Sequence, residues 1–321
     1  MYVPDDLKGL NGMIAACATE GATDLEAEDT VDVDNQRDFV DRLVRDGVNV
    51  VSVMGSYGEF HTLTDNEFKT LTKVVLDTVN KRVPVFVGVT SLNGREVVRK
   101  TKIARDLGAE GIFTGVPFYY PPTIDNTIRF YHDVADMFPD TSIQIYHNPP
   151  LHRIHIPVSA FPKITEKRNI VSMKDSHRAT TEFIRLIDVT RGKISLFVNQ
   201  MQYYPYQQLG ARGLWSTDVA MGPWPLLRLR NCTDAGDGEG ASEVLRDIMS
   251  LSAAERNDFE GPQDNARKLA ATHAGYAKLG PNRSPFVVVR PESLERSMQR
   301  AEGWGRLNAK YRPLVEAPVA V

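Results

Sequence analysis

Between residues 12 and 216 the chain repeats one alternation eight times. A short run of Val, Ile, Leu and Phe is followed by a longer stretch whose apolar residues recur three and four apart. The short runs fall at 12–18, 48–54, 83–89, 111–116, 142–146, 170–174, 194–198 and 213–216. They are apolar almost throughout, with few polar residues at alternate positions. Strands covered on both faces read this way, and a half-solvated antiparallel sheet does not.

The intervening stretches carry helix signals. Asp34 is read as the cap of a helix burying Phe39, Val40, Leu43 and Val44, with Gly47 as its stop. Thr64 and Glu67 form a capping box ahead of Phe68, Leu71, Val74, Val75 and Val79. Asn93 with Glu96 opens a third helix, carrying Val97, Val98, Ile103 and Leu107 and stopping at Gly108. Helical patterns follow at 123–138, 157–165, 180–190, 201–209 and from Pro223.

Eight strand–helix units in about 250 residues have the size of a (β/α)8 barrel, the TIM barrel. A doubly wound open sheet is the rival, but neither GxGxxG nor a Walker loop occurs. Residues 1–235 are therefore read as a barrel domain. Beyond the glycine-rich break at 236–240 the patterns at 241–251, 262–277 and 291–311 are helical, and 236–321 is read as a C-terminal helical extension. Val287-Val288-Val289 fits neither part. The acidic stretch 19–32 reads as a long loop after the first strand.

A net charge of -3 with no Lys/Arg-rich run argues against a nucleic-acid partner. The two cysteines, Cys17 and Cys232, have no metal-binding spacing and suit a reduced, intracellular protein. No signal-peptide pattern is present, and the apolar runs are too short to span a bilayer. The expected location is the cytoplasm.

In a barrel of this kind chemistry sits where the strands end. Lys174 closes the sixth run. It is either a solvated strand terminus or a desolvated, reactive amine able to form a Schiff base. Gly55-Ser56-Tyr57-Gly58-Glu59 follows the second run. Its glycines allow close backbone approach, and its amides with the Ser56 hydroxyl can hold a carboxylate; a plain βα turn is the alternative. Glu59 is expected to bond structurally. Pro117-Phe118-Tyr119-Tyr120-Pro121-Pro122 follows the fourth run as a rigid aromatic loop, suited to packing as much as to a site. After the fifth run, Pro149 biases Asn148 toward extended backbone, which sends Tyr146 and Asn148 to one side and His147 to the other. Trp215 at the eighth run offers an apolar wall with one donor. His147, His152 and His155 match no zinc spacing, so no metal site is expected. Asp175 would raise the basicity of Lys174 unless it points to the opposite face.

These residues, in this order, resemble the dihydrodipicolinate synthase and N-acetylneuraminate lyase family of pyruvate aldolases. The likeness rests on 55–64, 84–88, 108–117, Tyr146 and Met173-Lys174-Asp175, and spans roughly residues 10 to 225. It implies a (β/α)8 barrel with a C-terminal helical extension, assembled as a homodimer or a homotetramer of tight dimers. It implies Lys174 as the Schiff-base lysine, Tyr146 as the catalytic tyrosine, and the turn of Gly55, Ser56 and Tyr57 as the seat of the pyruvoyl carboxylate. Tyr119 matches a tyrosine that completes a proton relay across the dimer interface. No metal or organic cofactor is implied, because the iminium is the electron sink.

Leu151 stands where the synthases carry a carboxylate-binding arginine, which argues against synthase activity. Tyr146-x-Asn148-Pro149, Leu214-Trp215-Ser216, Gly222-Pro223 and Ala277-Lys278-Leu279-Gly280-Pro281 are instead similar to the hydratase-aldolase subgroup. That subgroup acts on benzylidenepyruvates in the breakdown of polycyclic aromatic hydrocarbons. The resemblance thus implies a lyase that hydrates an aryl-substituted 2-oxo acid and cleaves it to an aromatic aldehyde and pyruvate. Asn148 would position the water and Trp215 would flank the ring. Arg153, with His152 and His155, would serve a 2'-carboxylate, which favours 2'-carboxybenzalpyruvate over o-hydroxybenzylidenepyruvate. A sugar-acid lyase of the same family, a metal-dependent class II aldolase and a non-catalytic pyruvate-binding protein remain as alternatives.

Overall fold

Eight parallel strands close on themselves in sequence order, with the eighth pairing back to the first. The computed structural model describes residues 1–251 and 264–316. The strands are β1 (Gly9–Ile14), β2 (Val50–Val53), β3 (Val85–Gly88), β4 (Gly111–Thr114), β5 (Ser142–His147), β6 (Ile170–Asp175), β7 (Ser195–Asn199) and β8 (Gly213–Ser216). This is the expected barrel, and the open-sheet rival is excluded by its closure.

Seven strands fall on the expected runs; β1 lies three residues earlier than 12–18. The reason is visible at Ala16 and Cys17, whose carbonyls accept from the Arg283 guanidinium at 3.1 Å instead of from a neighbouring strand. Ala18 donates to the Leu279 carbonyl and bridges Val31, so this buried run leaves the sheet. The 19–32 loop begins with a 3-10 turn, Glu20–Thr23.

The first helix, Val33–Arg45, is capped by Asp32, which accepts from the Asn35 amide; Asp34 is already inside and pairs with Arg37 at the surface. The Thr64/Glu67 capping box forms as expected at Asp65–Val79. Helices Gly94–Asp106, Ile124–Met137, Thr180–Thr190 and Trp224–Asp234 match their patterns closely. Two do not. The stretch 157–165 breaks into Val158–Ala160 and Phe161–Ile164, and 201–209 yields only Tyr203–Gln207; Pro162 and Pro205 each lack the amide that a longer helix needs.

The C-terminal helices are Gly238–Ser250, Ala266–Ala271 and Pro291–Glu316. Residues 262 and 263 of the helix expected over 262–277 lie outside the described residues. Val287 and Val288 are exposed and belong to no strand. These helices are tied to the barrel by buried ion pairs. The Arg300 guanidinium reaches the Asp218 carboxylate at 2.8 Å, and Lys268 and Arg283 reach Glu59.

The apolar residues form two layers. The larger fills the space between strands and helices. The smaller fills the barrel lumen, with Leu7, Met13, Val50, Phe86, Phe113, Tyr146, Val171, Phe197 and Trp215. Each large side chain buried there stabilises the fold by roughly 1.5–3 kcal/mol before conformational entropy is counted. Some lumen polar groups partner one another: Ser52 donates to Asn11, and Gln144 donates to Ser172, while Asn11 Nδ2 and Gln144 Oε1 have no partner among the described residues. Among the described residues no helix is long and apolar enough to cross a membrane.

Candidate active site

The turn after β2 is held by unusual backbone. Met54 (φ 65) and Glu59 (φ 56) are the left-handed residues, not the glycines. The glycines serve close approach. A Cβ on Gly58 would lie 2.9 Å from the Ile14 carbonyl oxygen and the Met54 amide nitrogen, and one on Gly55 would strike Met13. The strained pair is secured from below, because Glu59 is buried and accepts from Asn265, Lys268 and Arg283 at 2.6–2.9 Å. Glu59 is thus a structural anchor, as its position suggested. Above it, the Ser56 and Tyr57 amides donate to no group among the described residues. Two unengaged amides beside the Ser56 hydroxyl are the donors an anion seat requires.

Lys174 enters from β6. Between Ile143↔Ile170 and Gln144↔Ser172 the register of β5 and β6 shifts by one residue, a bulge that sets Lys174 directly opposite Tyr146. Its ammonium lies 5.4 Å from the Tyr146 ring centre, 8% of the residue is exposed, and it makes no ion pair among the described residues. Burial pushes its pKa down to about 8, partly opposed by the neighbouring Asp175 carboxylate. Asp175 points out of the lumen, as strand alternation requires, and bonds to His147 and Arg178 instead.

Tyr146 is the hub. Its hydroxyl lies 3.1 Å from Ser56 Oγ, and Asn148 Nδ2 donates to it at 3.5 Å. Its ring stacks on Trp215 with centroids 6.0 Å apart and meets Phe113 edge-on at 5.3 Å. Asn148 is buried, and its Oδ1 has no partner among the described residues. Gly55, Ser56, Tyr146, Asn148, Lys174 and Trp215 therefore gather at one end of the lumen. Tyr57 adjoins them, half-buried, with Asp218, Arg267 and Arg300 near its hydroxyl.

Tyr119 and Arg153 lie elsewhere. Tyr119 is 65% exposed and Tyr120 76%, and Arg153 Nη1 donates to the Tyr119 carbonyl at 2.8 Å. With Phe118, Pro150 and Leu151 they line a surface depression of about 540 Å³ to which none of Lys174, Tyr146, Asn148 and Ser56 contributes. The two histidines beside Arg153 have surroundings of their own. His152 is buried with its ring 5.0 Å from that of Tyr146, and burial lowers its pKa to about 3. His155 sits against Arg178 and Glu182. Among the described residues no group of three or more His, Cys, Asp or Glu side chains is placed to hold a metal.

Two side chains at the site, Phe113 and His177, carried no usable sequence signal, and His152, expected as a cation for a substrate carboxylate, is instead buried and neutral. Phe113 looked like any β4 core residue. His177, in the turn after β6, feels the charge of Lys174, and burial first, then that charge, lowers its pKa to about 4.

Comparison with known proteins agrees with this architecture. Residues 10–301 match the dihydrodipicolinate synthetase family. A trans-O-hydroxybenzylidenepyruvate hydratase-aldolase from Pseudomonas aeruginosa is 28% identical over 320 residues, covering 96% of this chain and 95% of that one. A trans-2'-carboxybenzalpyruvate hydratase-aldolase from Nocardioides sp. (strain KP7) is 27% identical over 98% of this chain and 97% of its own. Among solved structures, PhdJ bound to a substrate intermediate superposes with a TM-score of 0.92 at 26% identity, covering 97% of this chain and 99% of that one. A dihydrodipicolinate synthase from Acinetobacter baumannii, at 22% identity and a TM-score of 0.80, shares the fold. The chain therefore belongs to the dihydrodipicolinate synthetase family and is a lyase, a pyruvate aldolase of the class I type that works through a lysine Schiff base without an external cofactor.

Proposed function

We propose that the protein is a hydratase-aldolase whose Schiff-base lysine is Lys174 and whose substrate is a benzylidenepyruvate, an aryl-substituted 2-oxo acid of the kind formed when polycyclic aromatic rings are opened. The observation that carries this is one constellation: a buried, unpaired amine over the ring of a tyrosine whose hydroxyl lies between Ser56 and Asn148.

The chemistry follows from that placement. The substrate carboxylate docks on the Ser56 and Tyr57 amides and the Ser56 hydroxyl. The neutral Lys174 amine attacks the keto carbon and water leaves, giving an iminium conjugated to the double bond. Water, oriented by Asn148 and Tyr146, adds at the benzylic carbon; the resulting enamine is protonated at the adjacent carbon. Tyr146 then takes the new hydroxyl proton, the carbon–carbon bond breaks, and an aromatic aldehyde departs. Protonation of the remaining enamine and hydrolysis release pyruvate and restore the amine. Trp215 and Phe113, 5.7 Å apart, supply apolar walls near the aryl ring.

The ortho substituent is better served by a neutral group than the histidines and arginine near β5 suggested. His152 is neutral, Arg153 is bonded to a carbonyl at the outer depression, and His155 is engaged by Arg178. We therefore favour o-hydroxybenzylidenepyruvate over the 2'-carboxy compound. Borohydride reduction in the presence of pyruvate, read by peptide mass, should place the adduct on Lys174. An adduct elsewhere, or none, rejects the assignment. Steady-state assays of the two substrates side by side test the preference, and a higher kcat/KM for the carboxylated compound reverses it. Activity undiminished by a chelator separates this reading from a metal-dependent aldolase.

The exposed Tyr119 and Tyr120, at the rim of the outer depression, support assembly with a second copy, as a homodimer or homotetramer. Sedimentation of the native protein and of Tyr119→Asp tests this; a native monomer rejects it.

A further inference from the structure

On the far side of the wall from Lys174 lies a buried charged cluster that the reaction does not use. Register pairs Tyr146 with Lys174 and, one step on, His147 with Asp175. The first pair faces the lumen, so the second faces the helices. There the Asp175 carboxylate accepts from His147 Nδ1 at 3.2 Å, from the His177 amide at 3.2 Å and from Arg178 Nε at 2.6 Å. His147 Nε2 accepts from the Ile156 amide, so the ring is neutral with its proton on Nδ1. Arg178 Nη2 donates to the Ile156 carbonyl at 2.9 Å, Nη1 donates to His155, and the Arg178 carbonyl accepts from the Tyr206 hydroxyl. Asp175, His147 and Arg178 are all buried.

A carboxylate one residue from an amine that must be neutral has the wrong sign for the job. The attraction it exerts favours the ammonium form. A fold that buries such a carboxylate there must neutralise it, and Arg178 is the charge in contact that does so. We propose that Arg178 is a positioning residue for Lys174, which by pairing with Asp175 behind the barrel wall offsets that carboxylate's pull on the lysine and, through Asp175 and His147, pins the end of β6 to the end of β5. The inference rests on Lys174 being the reactive amine. Other groups near the amine are Tyr146 on β5, His152 after it, His177 after β6 and the Ser56–Tyr57 turn; Phe113, Phe197 and Trp215 from β4, β7 and β8 are apolar or donor-only. Around Arg178 itself stand Asp175, His155 and the more exposed Glu182, 4.0 Å from its Nη1. Burial opposes ionisation of Asp175, yet the bonds from His147 and Arg178 hold it well below the usual carboxylate range.

The sign of the charge decides the test. Competitive acetylation of Lys174 across a pH series, read by peptide mass, measures the amine's midpoint without pyruvate; borohydride trapping with pyruvate measures the same midpoint through imine formation. Arg178→Gln should move it up by roughly one pH unit, a slowing of about tenfold at pH 7, and Asp175→Asn should move it down by a similar amount. Arg178→Lys should restore most of the native midpoint, and the double neutral variant should return close to it. A role in packing alone lowers amplitude or melting temperature but cannot shift the two single variants in opposite directions. Midpoints that stay at the native value, or that move the same way in both, overturn the proposal. If Arg178→Gln does not fold, Asp175→Asn against the double variant makes the same decision. A native protein that is acetylated at Lys174 but forms no pyruvate adduct rejects the role of Lys174, while the acetylation profiles still decide that of Arg178.

Discussion

Among the described residues two lysines are buried, and their surroundings are opposites. Lys268 is fully buried, bonded to Glu59 Oε2 at 2.7 Å and to the Pro281 carbonyl at 2.8 Å, with Arg283 on the same carboxylate. Lys174 is almost as buried but has only a tyrosine ring beneath it and aromatic walls around it. Burial lowers the pKa of both, and the partner opposes it in both: Glu59 in contact for Lys268, Asp175 turned to the other face for Lys174. Burial therefore does not by itself mark a reactive lysine. A contact ion pair that uses the ammonium's donors makes a strut between the C-terminal helices and the β2 turn. The lysine without that contact is the one proposed as the nucleophile.

The sharpest break of that contrast is to remove each amine. Lys174→Ala should abolish pyruvate trapping and lower kcat by at least about 10⁴-fold while leaving the unfolding midpoint nearly unchanged. Lys268→Met should do the reverse. It leaves Glu59 and Arg283 with an altered balance of buried charge and should cost about 3 kcal/mol or more in urea unfolding, while the surviving folded protein still traps pyruvate at Lys174. Trapping lost in Lys268→Met but kept in Lys174→Ala would invert the comparison.

Next in size is the tyrosine under Lys174, proposed to move protons for it, which has no counterpart at Lys268. Tyr146→Phe keeps the ring stack on Trp215 but deletes the hydroxyl between Ser56 and Asn148. Turnover should fall about 10²–10³-fold with little change in stability, as measured by steady-state kinetics and thermal melting.

The pH dependence should separate the two amines without mutation. Imine formation needs neutral Lys174, whose pKa is lowered to about 8. The trapping rate should therefore rise about tenfold per pH unit below 8 and level off above it, with roughly a tenth of the amine neutral at pH 7. An ordinary lysine would still be climbing at pH 10. The smallest effect is expected at the carboxylate seat. Ser56→Ala leaves the two amides and removes one hydroxyl, so KM should rise about three- to tenfold with a lesser change in kcat.

The fold was almost wholly legible in the residue order, because strands covered on both faces are apolar and the capped helices between them announce their starts. Where reading and structure part, a distant group decides. The run at 15–18 is as apolar as a strand, but Arg283, some 270 residues away, bonds its carbonyls and draws it out of the sheet. Pro162 and Pro205 cut two helices whose periodicity alone looked continuous. The site was legible in residue type and strand position, and less so in geometry. Arg153 and His152 read as a pair of cations after β5; one turns outward to a carbonyl and the other is buried neutral against Tyr146. No local pattern distinguishes those fates, since both depend on what packs over the Pro149–His152 turn.

Taken alone, the sequence determined the barrel, the order of its strands and the set of polar residues at their ends, because these follow from hydrophobic period and turn chemistry within short windows. The tertiary structure decided which of those residues meet. The one-residue shift between β5 and β6 sets Lys174 opposite Tyr146 rather than one place away, and one place in a strand is the difference between lumen and helix layer. It likewise decided that Asp175, one residue along the chain from Lys174, spends its charge on Arg178, so that the lysine is surrounded by rings in place of carboxylates.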